Sequence, residues 1–315
     1  MRKILYLVFM IFLWGGAIYF NNQLIAQSLE QKLEVFDKKN TQGYLQPLAN
    51  TMGAGLNSGL FTTAKVLSPF APRVVISSTV VSIPSSAKSF MATPPKHPYA
   101  SKEPPPYTYR QEKVKTATVF GNKGGTFIAD QGGTEDIALP NGANISAFPL
   151  PFASVSLGLP MGNEVMLRGL PPMSIDQDLG DTYFWGLGLK HDLTQWVPGL
   201  KYTPFDLAMQ GVYQNMSIAD FVQINSFSVN LQGSFNFLMF GVYSGIGYEN
   251  ATLEAKYKYN SLGSGRVTQK VRIDADNDFT LTLGGKFKPL PMISVFYDYT
   301  YANTPSMNFG LGVGF

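Results

Sequence analysis

Residues 226–250 read SFSVNLQGSFNFLMFGVYSGIGYEN, and the fold depends on how they are parsed. Phe227, Val229, Leu231 and Phe235 fall on one side of a period of two, and Ser226, Ser228, Asn230, Gln232 and Ser234 fall on the other. After a turn at Asn236-Phe237, Leu238, Phe240, Val242, Ile246 and Tyr248 oppose Gly241, Tyr243, Gly245, Gly247 and Glu249. A period of two belongs to a β-strand, because successive side chains leave opposite faces. Each strand here has one oily face and one face that is polar or nearly bare. The apolar parity changes near Ala251 and runs on to Tyr259, which predicts a bulge.

The pattern repeats. Val155, Leu157 and Leu159 oppose Ser154, Ser156 and Gly158. Val165 and Leu167 oppose Glu164, Met166 and Arg168. Tyr183, Trp185, Leu187 and Leu189 oppose Phe184, Gly186, Gly188 and Lys190. Phe205, Leu207, Met209 and Tyr213 oppose Asp206, Ala208 and Gln210, and Ile293, Val295, Tyr297, Tyr299 and Tyr301 oppose Ser294, Phe296, Asp298 and Thr300. The stretch FTLTLGGKFK, which holds Lys286, has the same character, and SMNFGLGVGF ends the chain on Phe309, Leu311, Val313 and Phe315. Runs of about ten residues have the length a tilted transmembrane strand needs. Tyr257, Tyr259, Tyr299, Tyr301 and Trp185 cluster toward strand ends, where aromatic girdles meet the headgroups.

Alternation alone also fits a soluble sandwich with the faces inverted. The sum of an N-terminal export signal, low charge, aromatic strand ends and the terminal Phe315 decides between them. Only 14% of residues are charged, against about 25% in soluble domains, while mean hydropathy is near zero at +0.01. That balance suits a wall half in lipid and half polar. The predicted class is all-β, a transmembrane antiparallel β-barrel of about twelve strands, within a range of ten to fourteen, preceded by a short N-terminal helical segment. A net charge of +3 gives no case for nucleic acid. The absence of cysteine excludes a thiol nucleophile, disulfides and Cys-ligated zinc.

The start, MRKILYLVFMIFLWGGAIYFNNQLIAQ, is read as a signal peptide over residues 1–27, with an uncleaved anchor as the alternative. Residues 28–50 form the N-terminal amphipathic segment, because Leu29, Leu33 and Phe36 recur at helical spacing and Ser28 with Gln31 makes a capping box. It is a plug for the barrel, a periplasmic contact or a plain tether. Residues 51–315 are assigned to the barrel, with 52–66 and 72–83 as its first two strands. Seven prolines between Pro84 and Pro106 make residues 84–112 a long loop. TATVFG and GTFIAD over 116–130 suggest one further hairpin. The stretch NSLGSGRVTQKVRIDADND is read as a long outer loop, and HDLTQWVPGLKY as an inner connection holding a short interfacial helix with Trp196.

The polar face supplies the candidate lumen residues: Glu164, Arg168, Lys190, Asp206, Ser226, Ser228, Asn230, Gln232, Lys286 and Asp298. Charges of both signs argue against strict ion selectivity and suit pairs that fill a narrow interior. No constellation supports catalysis. His97 lies among prolines, and His191 has no serine at a suggestive spacing. The acids of Asp274–Asp278 lack the glycine and distal glutamate of a calcium loop. The chain is read as a non-enzyme without metal or cofactor.

The terminal Phe315 behind Phe309, Leu311 and Val313 resembles the C-terminal signal of outer-membrane barrels, which the barrel-assembly machinery reads in those families. LPFASVSLGLPMGNEVMLRGLPP with YFWGLGLKHDLTQWVPG resembles an uncharacterised family of outer-membrane barrels from Bacteroidetes-type bacteria. More distantly, the chain is similar to the FadL-type transporters of hydrophobic compounds, whose N-terminal segment plugs the lumen; their Asn-Pro-Ala-type motif has no counterpart here. These resemblances imply the outer membrane of a Gram-negative bacterium, with its lipid and the assembly machinery as partners. They imply passage of small hydrophobic solutes, the alternative being a structural or partner-binding barrel without transport.

Overall fold

The computed structural model describes residues 26–94, 109–130, 136–169, 173–174, 181–218, 221–261 and 265–314. Most of the expected signal peptide, the centre of the Pro-rich stretch, His97 and Phe315 lie outside these residues.

Two helices come first, α1 (Ala26–Leu33) and α2 (Lys38–Asn57). The strands are β1 (Pro72–Ser82), β2 (Ser89–Ala92), β3 (Val114–Ala117), β4 (Thr126–Phe127), β5 (Ile137–Ala138), β6 (Ala147–Leu159), β7 (Asn163–Gly169) and β8 (Met173–Ser174). They continue as β9 (Asp181–Asp192), β10 (Phe205–Ile218), β11 (Val222–Phe237), β12 (Phe240–Ser261), β13 (Gly265–Asp274), β14 (Phe279–Leu290), β15 (Ile293–Tyr301) and β16 (Ser306–Gly314).

Ten strands close into an antiparallel barrel in the order β10-β11-β12-β14-β15-β16-β1-β6-β7-β9, with β9 pairing back to β10. The last strand meets the first, from Arg73 opposite Gly314 to Val81 opposite Ser306. Closure leaves no wall edge unpaired, as the hydrocarbon region demands. Short turns at 160–162, 238–239 and 291–292 lie at one end. The connection 193–204 is at that end too, whereas the longest one, 83–146, lies at the other.

The expected count of twelve is corrected to ten, and the barrel wall begins at Pro72 rather than residue 51. Residues 52–57 finish α2, and the chain from Ser58 to Ala71 is irregular, so 52–66 is not a strand. The 116–130 hairpin is also absent from the wall: β2 pairs with β3, and β4 with β5, as two small sheets beyond the barrel. Much of the outer loop read in NSLGSGRVTQKVRIDADND is strand, since β13 pairs with the far half of β12. The inner connection does carry short 3-10 turns, Thr194–Trp196 and Leu200–Tyr202, with Trp196 exposed.

There is no bulge at Ala251. The β11–β12 register runs unbroken from Phe237↔Phe240 to Val222↔Ala255; the irregular register lies between Phe287 and Leu290, in β14. The apolar parity changes because the surroundings invert. Along Phe240 to Tyr248 the outward residues Val242 (59% exposed), Ile246 and Tyr248 are oily. Past Ala251 the outward positions are Glu254, Lys256 and Lys258, and the inward Leu253, Ala255 and Tyr257 are buried against the helices. A strand leaving hydrocarbon meets water outside, and here a folded core inside, so both faces change character together.

That core sits at the long-loop end. Leu33, Phe36, Tyr44, Leu45, Leu48 and Met52 of the N-terminal segment pack with Leu150, Phe152, Phe184, Ile224, Leu253 and Ile273 from the strands. Asp37 caps α2 by accepting from the Asn40 amide at 2.9 Å. Burial raises the pKa of the Tyr44 hydroxyl, which donates to the Asn141 carbonyl at 3.1 Å. Gln46 donates to the Asp274 carbonyl at 2.9 Å, and Asn50 to the Asp276 carboxylate at 2.9 Å. The acidic stretch Asp274–Asp278 thus docks on α2. Small residues let α2 approach the wall: a Cβ at Gly53 would lie 2.8 Å from the Ala251 methyl, and one at Gly55 would overlap Leu150.

Candidate functional site

Below the dry core the barrel interior is polar, and one stretch of chain, residues 56–68, runs through it. Helix α2 ends at Asn57, and Ser58 is extended. The Leu56 carbonyl then accepts from Arg168 Nη1 at 2.6 Å and Gln214 Nε2 at 2.8 Å. Arg168 Nη2 donates to the Ser58 carbonyl at 2.9 Å, and the guanidinium carbon stands 3.6 Å from the centre of the Phe152 ring. A cation at the C-terminal end of a helix satisfies orphan carbonyls and opposes the negative pole of the dipole.

Ser58 Oγ donates to the Ala54 carbonyl at 2.6 Å and meets Ser306 Oγ at 2.6 Å. Gly59, at φ +65°, lies over Asn308, where a side chain would collide 2.6 Å from Asn308 Cγ. Leu60 and Phe61 form a small apolar knot with Met166, Val212 and Tyr243. The Phe61 and Tyr243 rings meet edge to face, 5.9 Å between centres. Further down, Lys190 Nζ donates to the Thr63 carbonyl at 3.0 Å, and Ser234 Oγ accepts from the Ala64 amide at 3.0 Å. Glu164 accepts from the Leu67 amide at 3.2 Å and pairs with Arg73 at 2.5 Å. Backbone bonds between Phe70, Ala71 and Gly158 then hand the chain to β1.

Of the ten sequence-predicted lumen residues, nine are buried and Asp206 is half-buried. Glu164, Arg168 and Lys190 bond the threading segment directly. Asp298 instead braces the wall, accepting from Tyr243 at 2.9 Å and Asn308 at 3.0 Å. Gln232 donates to Gln210 at 2.6 Å and also to Asn230. Asp206 accepts from Asn236 at 3.1 Å. Ser226 and Ser228 are buried on the same face. The charges do not simply pair with one another: Lys190 donates to a backbone carbonyl, and Arg168 to two backbone carbonyls and the Gln214 side-chain oxygen.

Several contributors escaped the sequence reading. Gln210 and Gln214 lie on the noted polar face of β10 or its continuation, and Arg73 and Thr79 on the inward face of β1. The threading segment itself was read as wall. At the short-turn end it borders a cavity of about 200 Å³ lined by Lys65, Arg73, Lys286, Lys288, Met292 and Ser294, among others. His191 sits on that rim with Asn163 at 2.9 Å and the Trp196 indole at 3.2 Å, a packing role for the only histidine among the described residues.

The outward positions Phe309 (40% exposed) and Val313 of the expected assembly signal carry apolar side chains into the same belt as Leu231 and Leu189. A closed antiparallel sheet with an oily exterior, a polar interior and no unpaired wall edge has the build of an outer-membrane β-barrel, here with its interior occupied by its own N-terminal segment. The chain belongs to the family described as "Family of unknown function (DUF6588)", whose model matches residues 1–315. Among curated proteins none matches it. Solved structures that resemble it include the outer membrane protease OmpT from Escherichia coli, at 9% identity and a TM-score of 0.35, covering 80% of this chain and 100% of that one. An outer membrane channel from Pseudomonas putida F1 has 9% identity and a TM-score of 0.37, covering 80% and 98%. A mutant of the TodX monoaromatic hydrocarbon channel has 10% identity and a TM-score of 0.30, covering 82% and 94%. Likenesses this distant carry no functional weight; the barrel reading rests on the strand pairing and the two faces of the wall.

Proposed function

We propose that the chain is an outer-membrane barrel of a Gram-negative bacterium that admits small, hydrophobic solutes, and that residues 56–68 are the plug that holds the path shut. One observation carries this reading. The inward side chains of Arg168, Lys190 and Glu164 grip a separate stretch of backbone, at Leu56, Ser58, Thr63 and Leu67, while other wall residues bond one another. A ten-stranded barrel is only slightly wider than the eight-stranded kind that side chains can fill, so a purely structural barrel has little need of a threaded segment. A path gated by such a segment passes small molecules only. The preference for hydrophobic solutes follows the FadL-type resemblance alone.

With short turns on the periplasmic side, as is usual for such barrels, α1 and α2 would sit on the outer side together with the long loops. Residues 28–50 would then be the cap of the plug rather than a periplasmic contact. The test is conductance and solute uptake in liposomes. The full chain is expected to conduct little, and a chain lacking residues 28–68 behind the same export signal is expected to conduct steadily. A truncated barrel that folds, judged by its heat-dependent gel mobility, yet stays sealed would refute passage.

A further inference from the structure

The cavity at the short-turn end has a composition that the polar lumen does not. Four cationic side chains line it, Lys65, Arg73, Lys286 and Lys288, and among the described residues no aspartate or glutamate does. Glu164 lies just behind and is engaged by Arg73 and the Leu67 amide; Asp206, also near, is held by Asn236 and Ser234. Lys286 is the decisive residue. It is 8% exposed, it borders the cavity, and its ammonium has no hydrogen-bond or ion-pair partner among the described residues. Its attraction to Asp206 involves no hydrogen bond, a buried cation held so loosely is costly, and a cavity beside it that other cations share is a place built for a counter-charge.

We infer that this cavity binds an anion of the phosphate class. With Arg73 already paired to Glu164, three cations remain, Lys65, Lys286 and Lys288, and together they favour a multiply charged oxyanion over a single carboxylate, because each oxygen can take a charge-assisted hydrogen bond. Thr63, Ser68, Ser294 and Asn236 add neutral polar groups to the lining. At about 200 Å³ the space is below the roughly 300–1,000 Å³ of drug-sized pockets, so it takes a phosphate group and little more. Val66, Leu67, Pro291 and Met292 supply apolar walls for whatever carbon is attached. The phosphate has two possible sources, a free phosphate or phosphate ester, and the headgroup of a lipid at the rim, where Leu290 and Met292 are exposed. Because Thr62 to Ser68 of the threading segment line the cavity, an anion bound there would touch that segment where it enters the wall.

The test has two arms on the purified full chain. Inorganic phosphate is titrated calorimetrically into protein in neutral detergent, and native mass spectrometry counts lipids retained after exposure to phosphatidylglycerol micelles. Binding is expected in at least one arm, and the arm identifies the source. Lys286→Met should weaken it by about tenfold or more, the worth of one charge-assisted hydrogen bond, whereas Lys258→Gln, exposed on the far extension of β12, should leave it unchanged. If Lys286→Met fails to fold by gel mobility, Lys288→Gln on the open side of the cavity is read instead, with a severalfold loss expected. No binding in either arm, or equal binding by wild type and the folded cavity variant, overturns the inference. Neither result depends on whether the barrel conducts.

Discussion

Arg168 Nη1 lies 2.6 Å from the carbonyl oxygen of Leu56, so a side chain on β7 caps a helix that is separated from it by more than a hundred residues and the whole of β1 and β6. The barrel and its N-terminal segment are therefore one structure held at a helix terminus. Arg168→Met should keep the packing on Phe152 and lose the donors, leaving the Ser58 carbonyl bare and Leu56 with Gln214 alone. Removing a buried charged donor costs roughly 2–5 kcal/mol. The expected results are a lower transition temperature in the gel-mobility assay and a rise in conductance.

Ser58 and Ser306 offer a way to lock the segment. Their hydroxyl oxygens are 2.6 Å apart, close to the reach of a disulfide of about 2.05 Å between sulfurs, and the chain contains no cysteine. The double variant Ser58→Cys/Ser306→Cys should oxidise without catalyst, stay closed in bilayers, and respond to reductant. Persistent free thiols in the folded protein would mean that residue 58 does not rest against β16.

Gly55 gives a prediction whose sign opposes helix propensity. Alanine favours a helix over glycine by about 1 kcal/mol, so Gly55→Ala would stabilise α2 in isolation. In the barrel its Cβ would overlap Leu150 and lie 3.2 Å from Val81. The folded protein should instead lose thermal stability, and Gly55→Leu should free the N-terminal segment to protease while the barrel survives.

Leu231 and Leu253 test the inversion of the wall. Leu231 points outward at 45% exposure, whereas Leu253 is fully buried against the helices. Leu231→Lys should cost about 2–4 kcal/mol near mid-bilayer and depress folding into vesicles, with little effect in detergent. Leu253→Lys should insert normally and expose α1 and α2 to limited proteolysis. Equal behaviour of the two variants would contradict the change of faces beyond Ala251.

The wall was legible because its pattern is local. Ser226 to Ser234 stand inward and Phe227 to Phe235 outward by the geometry of one strand, and the candidates Glu164, Arg168, Lys190 and Lys286 followed from the same alternation. Misreadings came where a partner distant in sequence sets the environment. Residues 52–56 are apolar with Gly53, Ala54 and Gly55 small, which suits either a strand in lipid or a helix pressed on a wall, and only Ala251, Leu150 and Val81 across the barrel decide for the helix. The change of parity at Ala251 reads as a bulge in one dimension; in three it is the level at which lipid gives way to water outside and to α2 inside.

By itself, then, the sequence determined a barrel wall, its inward and outward faces and the polar character of the interior, because period two and the composition demanded by hydrocarbon act residue by residue. Closure at ten strands, the path of residues 56–68 through the lumen and the cluster of cations around Lys286 were decided only by the tertiary structure. Each of these depends on groups brought together by chain closure, and contact across a barrel leaves no periodic trace in the chain that makes it.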